Sequence, residues 1–447
     1  MSKQKVIIIG AGLAGSLLGI YLSKRDIEVE IYEARADMRK TGAAEGRSIN
    51  LALSDRGIAA LRDVGMDEYM LSEAVPMRGR MIHSLDGTTK LLPYSGRQGE
   101  FINSISRSGL NMALMNAAQK TGVKFRFNRK CVNFDCKTGV ALVENTKAGG
   151  RQTIRGDVLI ATDGAGSAVR KAMLDGGVPR FNFSQSWLEH GYKELHIPPG
   201  GDGGFLMEQN ALHIWARRSF MMIALPNFDG SFTCTLFLAH TGENSFEQLT
   251  GEKNLIKFFE KNFPDAIPLM PTLVEDFFSN PIGNLGTIKC FPWNVGDKSL
   301  LLGDSAHAIV PFYGQGMNAS FEDCRVLDSL IDKHCSDWAT IFDEFTKERK
   351  PNADAIAEMA EENFYEMRDA VADPVFVRKR ELETRLEQIF PDYFSKYSMV
   401  TFREDLPYTV AKQKGNAQDK LLMEICSEIE DSSKIDLNEV MQRIKTL

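Results

Sequence analysis

Residues 6–9, Val-Ile-Ile-Ile, are apolar without interruption, the pattern of a parallel strand buried on both faces. Gly10 follows at once, and residues 13–24 carry helical spacing before residues 28–33 alternate and return to strand. Together these pieces predict a βαβ unit. Ser54 stands where it would cap a helix running to Val64 and ended by Gly65. Residues 80–105 shorten into strand-like pieces separated by Asp86-Gly87 and Pro93; residues 108–120 are helical, and residues 155–161 form another apolar strand.

The pattern changes over residues 181–290. Aromatic and β-branched runs at 212–215, 220–225 and 232–238 are divided by Pro226 and Asp229-Gly230, which predicts an antiparallel sheet. Beyond Met317 the periodicity is helical for most of the remainder, with Pro351 and Pro374 as expected breaks. No internal repeat or low-complexity segment interrupts this order.

A chain of 447 residues suggests two domains, here with a helical tail. Its formal charge of −7, without a basic and aromatic stripe, argues against a nucleic-acid partner. Seven scattered cysteines lack Cys-x-x-Cys spacing, and no metal-binding cluster accompanies them, so reduced thiols in a cytoplasmic protein are expected. The four-residue apolar run near the N-terminus is too short for a signal peptide, and no segment is long and apolar enough to span a membrane. Oligomeric state leaves no trace in the sequence.

Three glycine-bearing segments carry the chemistry. In Gly10-Ala11-Gly12-Leu13-Ala14-Gly15, Gly10 permits a tight turn, Gly12 lets the backbone approach a pyrophosphate, and Gly15 lets helix and strand pack closely. The helix start then offers free N–H groups to phosphate. Glu33 ends the second strand, where an acid binds ribose hydroxyls and disfavours a 2′-phosphate; FAD or NAD fits better than NADP. The second and third segments are Ala161-Thr162-Asp163-Gly164 and Gly303-Asp304-Ser305-Ala306-His307, each after an apolar strand. An aspartate there often serves only as a turn or cap. The joint occurrence of all three segments favours a nucleotide site.

In this order the segments resemble the FAD-dependent aromatic hydroxylases, the class A flavoprotein monooxygenases. The resemblance implies an α/β fold with a Rossmann-like FAD-binding domain (residues 1–75, 101–180 and 290–325) and an antiparallel β-sheet substrate domain (76–100 and 181–289). A helical C-terminal region, 326–447, would complete the substrate pocket. It further implies FAD contacts at Gly10, Gly12, Leu13, Ala14, Gly15, Glu33, Arg107, Asp163, Asp304, Gly316, Met317 and Asn318.

Longer stretches resemble the kynurenine-hydroxylating branch of that family. They are Gly46-Arg47-Ser48-Ile49-Asn50-Leu51-Ala52-Leu53-Ser54, Arg80-Met81-Ile82-His83-Ser84 and Pro311-Phe312-Tyr313-Gly314-Gln315-Gly316-Met317-Asn318. Asn363-Phe364-Tyr365-Glu366-Met367-Arg368-Asp369 and Tyr397-Ser398-Met399-Val400-Thr401-Phe402 match as well. This branch implies that Arg80 and Tyr94 hold the carboxylate of L-kynurenine, with Asn363 and Tyr397 as further polar contacts. Phe312 would lie near the substrate ring and Met367 would line the pocket, while Pro311, Phe312, Gly314, Gln315 and Gly316 form a flavin-facing loop. No side chain is expected to be catalytic, because the flavin supplies the chemistry through a C4a-hydroperoxide. His307 reads as structural or flavin-proximal, and the role of Tyr313 is open.

The implied reaction is 3-hydroxylation of L-kynurenine with NADPH and O₂, within tryptophan catabolism and pyridine-nucleotide biosynthesis. Membrane-associated enzymes of this type carry a C-terminal apolar anchor that is not found here. Two alternatives stay open: a flavin hydroxylase or reductase of the same fold with another substrate, and a non-catalytic flavin-binding sensor.

Overall fold

Val6, Ile7 and Ile8 are fully buried, because strand Lys5–Ile9 occupies the interior of a six-stranded sheet. The computed structural model describes residues 3–41, 50–369, 373–429 and 431–447. The strand order is Asn294–Val295, Ser299–Leu301, Val158–Ala161, Lys5–Ile9, Glu28–Tyr32, Lys124–Arg126. All neighbours are parallel except the Asn294–Val295 edge. Parallel neighbours need a crossover, and helix Leu13–Ser23 supplies the one between Lys5–Ile9 and Glu28–Tyr32. Leu17 of that helix joins Leu114 of helix Arg107–Lys120 and Phe321 of helix Gly316–His334 in one core with the sheet.

The three glycine segments therefore leave the carboxyl ends of three adjacent strands. Hydrogen bonds lock them together: the Thr162 hydroxyl donates to the Ile9 and Gly10 carbonyls at 3.0 and 2.9 Å, and Leu302 N–H donates to the Ala161 carbonyl at 2.9 Å.

A second sheet has seven strands, ordered Gly283–Phe291, Asn182–Ile197, Phe232–Ala239, Met221–Pro226, Ala211–Ala216, Gly79–His83, Thr89–Pro93. Only the pairing of Ala211–Ala216 with Gly79–His83 is parallel. Adjacent residues feed opposite cores, as the two-residue period of a strand requires. Trp215, Met222 and Leu236 pack with Phe259 of helix Glu252–Asn262. Ile214, Met221 and Phe237 face the other way, toward Phe312, Phe364 and Met367. The sequence pattern alone predicts only sheet over residues 181–290; helices Glu252–Asn262 and Leu273–Ser279 are present there because the outer face must be covered.

Two local expectations change. Ser54 does precede helix Asp55–Asp63, but its hydroxyl accepts no capping bond; its N–H donates to Asn318 Oδ1 at 3.0 Å. Pro351 does not break the chain's longest helix, Trp338–Asp369. The lost N–H bond costs about 3 kcal/mol, and the buried anchors Arg349, Ala353 and Ile356 on either side outweigh it. Pro374 behaves as expected, opening helix Pro374–Ile389 behind the Asp373 cap, which accepts from Val375 N–H at 2.7 Å. Among the described residues, no helix is long and apolar enough to cross a membrane.

Arg56 fastens the C-terminal helices to this frame. Its buried guanidinium pairs with Glu322 at 2.8 Å, donates to the Val400 carbonyl at 2.9 Å and to the Leu406 carbonyl, and lies 4.0 Å from the centre of the Tyr408 ring. Replacing Arg56→Leu should lower stability in urea denaturation by about 3–5 kcal/mol, the cost of stranding one partner of a buried pair. A loss below about 1 kcal/mol would mean that this anchor is dispensable.

Candidate active site

Gly10 has φ +102°, and a Cβ there would stand 2.5 Å from the Thr162 carbonyl oxygen; one at Gly15 would meet the Gly10 carbonyl oxygen at 2.1 Å. Over Gly12 the space is open, with nothing within 4 Å of where a Cβ would sit. A bare backbone thus faces a cradle at the start of helix Leu13–Ser23, whose first turn holds no acid. Glu33 is buried beside it, accepting from Ala11 N–H at 2.8 Å and from Arg35 N–H at 3.0 Å.

Asp163 Oδ2 accepts from Ala168 N–H at 2.8 Å, which is the turn-forming role. Its Oδ1 is buried without a partner among the described residues. Asp304 keeps solvent-accessible surface, yet the protein packed around it withholds solvation and raises its carboxyl pKa, while Arg107 opposes the rise. A dinucleotide with ribityl and ribose hydroxyls fits this donor set: bare amides for phosphate, and acids with spare acceptor capacity for hydroxyls. Arg170, which the sequence reading passes over, joins the two acidic segments by donating to the Ser305 carbonyl at 2.7 Å and to the Ala165 carbonyl.

His307 is committed to Asp323, with Nε2 2.6 Å from Oδ2. Burial alone would lower its pKa, but the Asp323 carboxylate outweighs burial and raises it. Asp323 moves oppositely: burial would push it up, and His307 and Arg349 bring it down to about 2. Arg349 Nε donates to Asp323 Oδ1 at 2.7 Å. The His307 side chain is therefore tied into a buried network with Asp323 and Arg349.

The loop of residues 311–315 is held from several sides. Gly314 adopts φ +68°. Asn318 Nδ2 donates to the Gly314 and Ala52 carbonyls at 2.8 Å each, and Tyr408 donates to Gln315 Oε1 at 2.9 Å. The side chains of Gln315 and Asn318 are thus engaged within the protein, and Gly316, Met317 and Asn318 present backbone amides at a helix start.

A second group of residues lies around the Arg80 side chain. Tyr94 and Tyr397 stack with centroids 5.1 Å apart, and Tyr313 stacks on Tyr397 at 5.5 Å. The Arg80 guanidinium carbon is 5.0 Å from the Tyr397 ring centre and 5.7 Å from that of Tyr94. Burial raises the pKa of all three tyrosines, so each is a neutral donor at physiological pH. The Tyr94 hydroxyl is buried without a hydrogen-bond partner among the described residues. Arg80, Tyr313, Asn363 and Tyr397 line a small cavity that also receives Glu366, Lys379, Arg380, Glu383 and Lys396.

Next to it lies an apolar floor. Phe312 packs on Phe364 at 4.4 Å and Phe237 at 4.9 Å, and Met367 joins the same cluster. Asn363 donates to the Phe312 carbonyl at 2.6 Å and lies 3.3 Å from Met367 Sδ, so it ties helix to loop. Arg80, Tyr94, Phe312, Asn363, Met367 and Tyr397 are thus brought together. Sequence reasoning misses the charged wall of Glu366, Lys379, Arg380, Glu383 and Lys396. The three-residue step from Asn363 to Glu366 on one helix was the available signal. Residues 46–49 of the matched Gly46 to Ser54 stretch lie outside the described residues.

The FAD binding domain family model matches residues 3–190 and 272–360. The fold is shared with a tetrameric form of 2-methyl-3-hydroxypyridine-5-carboxylic acid oxygenase (TM-score 0.68, 17% identity, covering 90% of this chain and 97% of that one). It is also shared with Klebsiella pneumoniae HpxO complexed with FAD and uric acid (TM-score 0.66, 19% identity, 86% and 92%). Fold and site together define an FAD-dependent monooxygenase of the aromatic-hydroxylase type. Kynurenine 3-monooxygenase of Myxococcus xanthus is 47% identical, over 99% of this chain and 95% of the relative. That of Flavobacterium johnsoniae is 44% identical, over 95% and 94%, and that of Dictyostelium discoideum 43%, over 99% and 98%. The chain belongs to the kynurenine 3-monooxygenase family.

Two measurements probe the frame of the site. Gly10→Ala, which forces a Cβ against the Thr162 carbonyl, should yield purified protein with less than about half the FAD of the unaltered chain, read from flavin absorbance; full occupancy would remove Gly10 from the binding argument. A raised His307 pKa stabilises the fold fully below the ordinary histidine value and loses that effect as pH rises through the folded-state value. The stability gap between the unaltered protein and His307→Gln should therefore be widest in mild acid and shrink in alkali. A gap that grew with pH would reverse the assignment.

Proposed function

We propose that the protein hydroxylates L-kynurenine at ring position 3, consuming NADPH and O₂ with bound FAD. The observation that carries this reading is the Arg80 guanidinium set against Tyr94 and Tyr397, where the Tyr94 hydroxyl is buried without a partner among the described residues. A carboxylate there would satisfy that hydroxyl and take charge-assisted bonds from the arginine. The ring of the same ligand would rest on the apolar floor of Phe237, Phe312, Phe364 and Met367.

FAD, when bound, supplies the redox and oxygen-activating chemistry. The residues assigned to hold it are Gly10, Gly12, Leu13, Ala14 and Gly15 at the pyrophosphate, Glu33 at the ribose, and Arg107, Asp163 and Asp304 beside the cleft. Pro311, Phe312, Gly314, Gln315, Gly316, Met317 and Asn318 would face the flavin. The protein's own contribution is positional: Arg80 and Tyr94 fix the carboxylate end, Asn363 and Tyr397 add polar contacts, and the aromatic floor excludes water from the ring. The same reading places the protein in the cytoplasm, which seven unpaired cysteines support.

FAD-loaded protein should consume NADPH several-fold faster with L-kynurenine than without it, and the product should gain one oxygen by mass. Stimulation without added oxygen would make kynurenine an effector only; no stimulation would overturn the substrate assignment. Arg80→Ala should raise KM for L-kynurenine by roughly 10- to 100-fold, the loss expected for a charged hydrogen bond.

A further inference from the structure

Two buried histidines, His83 and His213, stand behind the seven-stranded sheet, where no step of the proposed reaction uses them. On strand Gly79–His83 the Arg80 side chain lines the cavity, and the two-residue period of the strand turns His83 to the opposite face. There His83 stacks on Trp215 at 4.0 Å and His213 meets Phe232 edge-on at 5.4 Å, both partners belonging to the outer core. One chain of hydrogen bonds runs through the two rings. His83 Nδ1 is 2.7 Å from Asp265 Oδ2, His83 Nε2 is 2.8 Å from His213 Nδ1, and His213 Nε2 is 2.8 Å from the Glu208 carbonyl oxygen. Trp215 Nε1 donates to the same Asp265 oxygen at 2.9 Å.

This chain needs one proton more than two neutral rings supply. Both of its ends are acceptors, a carboxylate and a carbonyl, so each outer ring nitrogen donates and each ring spends a proton there. The two nitrogens that face each other then require a third proton, because bare lone pairs at hydrogen-bond distance repel. Burial lowers the His213 pKa to about 4, which keeps that ring neutral and its Nδ1 an acceptor. The third proton therefore belongs on His83. Burial would raise the Asp265 pKa, but His83 and Trp215 outweigh it and lower it, so the countercharge is in place. The other charged groups nearby are engaged elsewhere. Arg217 donates to the carbonyls of His83, Ala216 and Asn262, the Glu208 carboxylate accepts from Asn210 N–H, and Lys90 on the neighbouring strand reaches Glu381.

The chain crosses the parallel pairing of Gly79–His83 with Ala211–Ala216, in which Arg80 lies opposite Leu212. We propose that His83, protonated between Asp265 and His213, is a positioning residue that pins the strand carrying Arg80, and that loss of this proton weakens the hold of Arg80 on the substrate carboxylate. The effect on binding rests on the reading of Arg80 as the partner of that carboxylate; the proton itself does not. Without the proton one of the three contacts in the chain must open, and the strand is released at the end nearest Arg80.

The test uses FAD-loaded protein and two readouts. Imidazole nitrogen NMR at about pH 7 should find both His83 nitrogens protonated and His213 with one bare nitrogen, the signals being assigned by their loss in His83→Gln and His213→Gln. A bare nitrogen on His83 overturns the proposal. Steady-state kinetics then follow pH. KM for L-kynurenine should rise by about threefold or more toward alkaline pH in the unaltered chain, with kcat little changed. In His83→Gln, whose amide is neutral throughout, that rise should be lost. Asp265→Asn keeps an acceptor for Nδ1 but removes the charge, and should move the rise to lower pH. Titration of the substrate itself is common to all the proteins, so an identical rise in each marks His83 as merely structural and overturns the proposal. Should His83→Gln fail to fold, Asp265→Asn supplies the same comparison. Failure of the unaltered protein to bind kynurenine brings down the substrate reading and the positioning role with it, whatever the nitrogen count.

Discussion

A carboxylate with no solvent exposure keeps the two ends of the site in one frame. Asp323 accepts from Gly303 N–H at 3.1 Å, pairs with His307 at 2.6 Å and takes Arg349 at 2.7 Å. Gly303 and His307 bracket the short turn that carries Asp304, while Arg349 lies on the helix that later carries Asn363, Glu366 and Met367. Glu322, one residue away, takes both Arg349 and Arg56 at 2.8 Å and so extends the tie to the C-terminal helices. Such a knot does not make the fold more stable than an apolar one would be. It makes the alternatives costly, because any shift of one helix strands buried charges on its neighbours.

That rigidity explains how a cavity of mixed charge can lie next to an apolar floor. The seven-stranded sheet sends Ile214, Met221 and Phe237 to the site and Trp215, Met222 and Leu236 to the core behind it. The register that places Phe237 at the floor also pairs Arg80 with Leu212 and Leu92. A one-residue slip in either strand would exchange the two faces, and the packed outer core forbids it.

Legibility followed physical cause. The central strands of the six-stranded sheet could be read from sequence because burial on both faces leaves only apolar residues, and the glycine turn because no other residue tolerates φ +102° beneath the Thr162 carbonyl. Helix Glu252–Asn262 was hidden among strand-like runs, and Pro351 looked like a break, because tertiary contacts decide both. The strands Arg129–Asp135, Val140–Asn145 and Arg151–Ile154 also went unread, since their charged, half-exposed faces resemble loop. Arg80 and Tyr94 needed the family resemblance to stand out; neither periodicity nor composition distinguishes a pocket arginine from a surface one.

The charged wall was least legible, and for an instructive reason. Lys379 and Glu383 stand four apart on a helix, the spacing of an ordinary solvated pair. Only the packing of helix Tyr408–Glu428, which brings Asp419 against Lys379 and Lys396, shows that this face is buried. Buried pairs are expensive to desolvate, and apolar residues of similar size would hold the helices together at least as well. Their presence around the cavity beside Arg80 is therefore better explained by the cavity than by stability. A wall whose charges satisfy one another shapes a polar pocket without competing for its ligand.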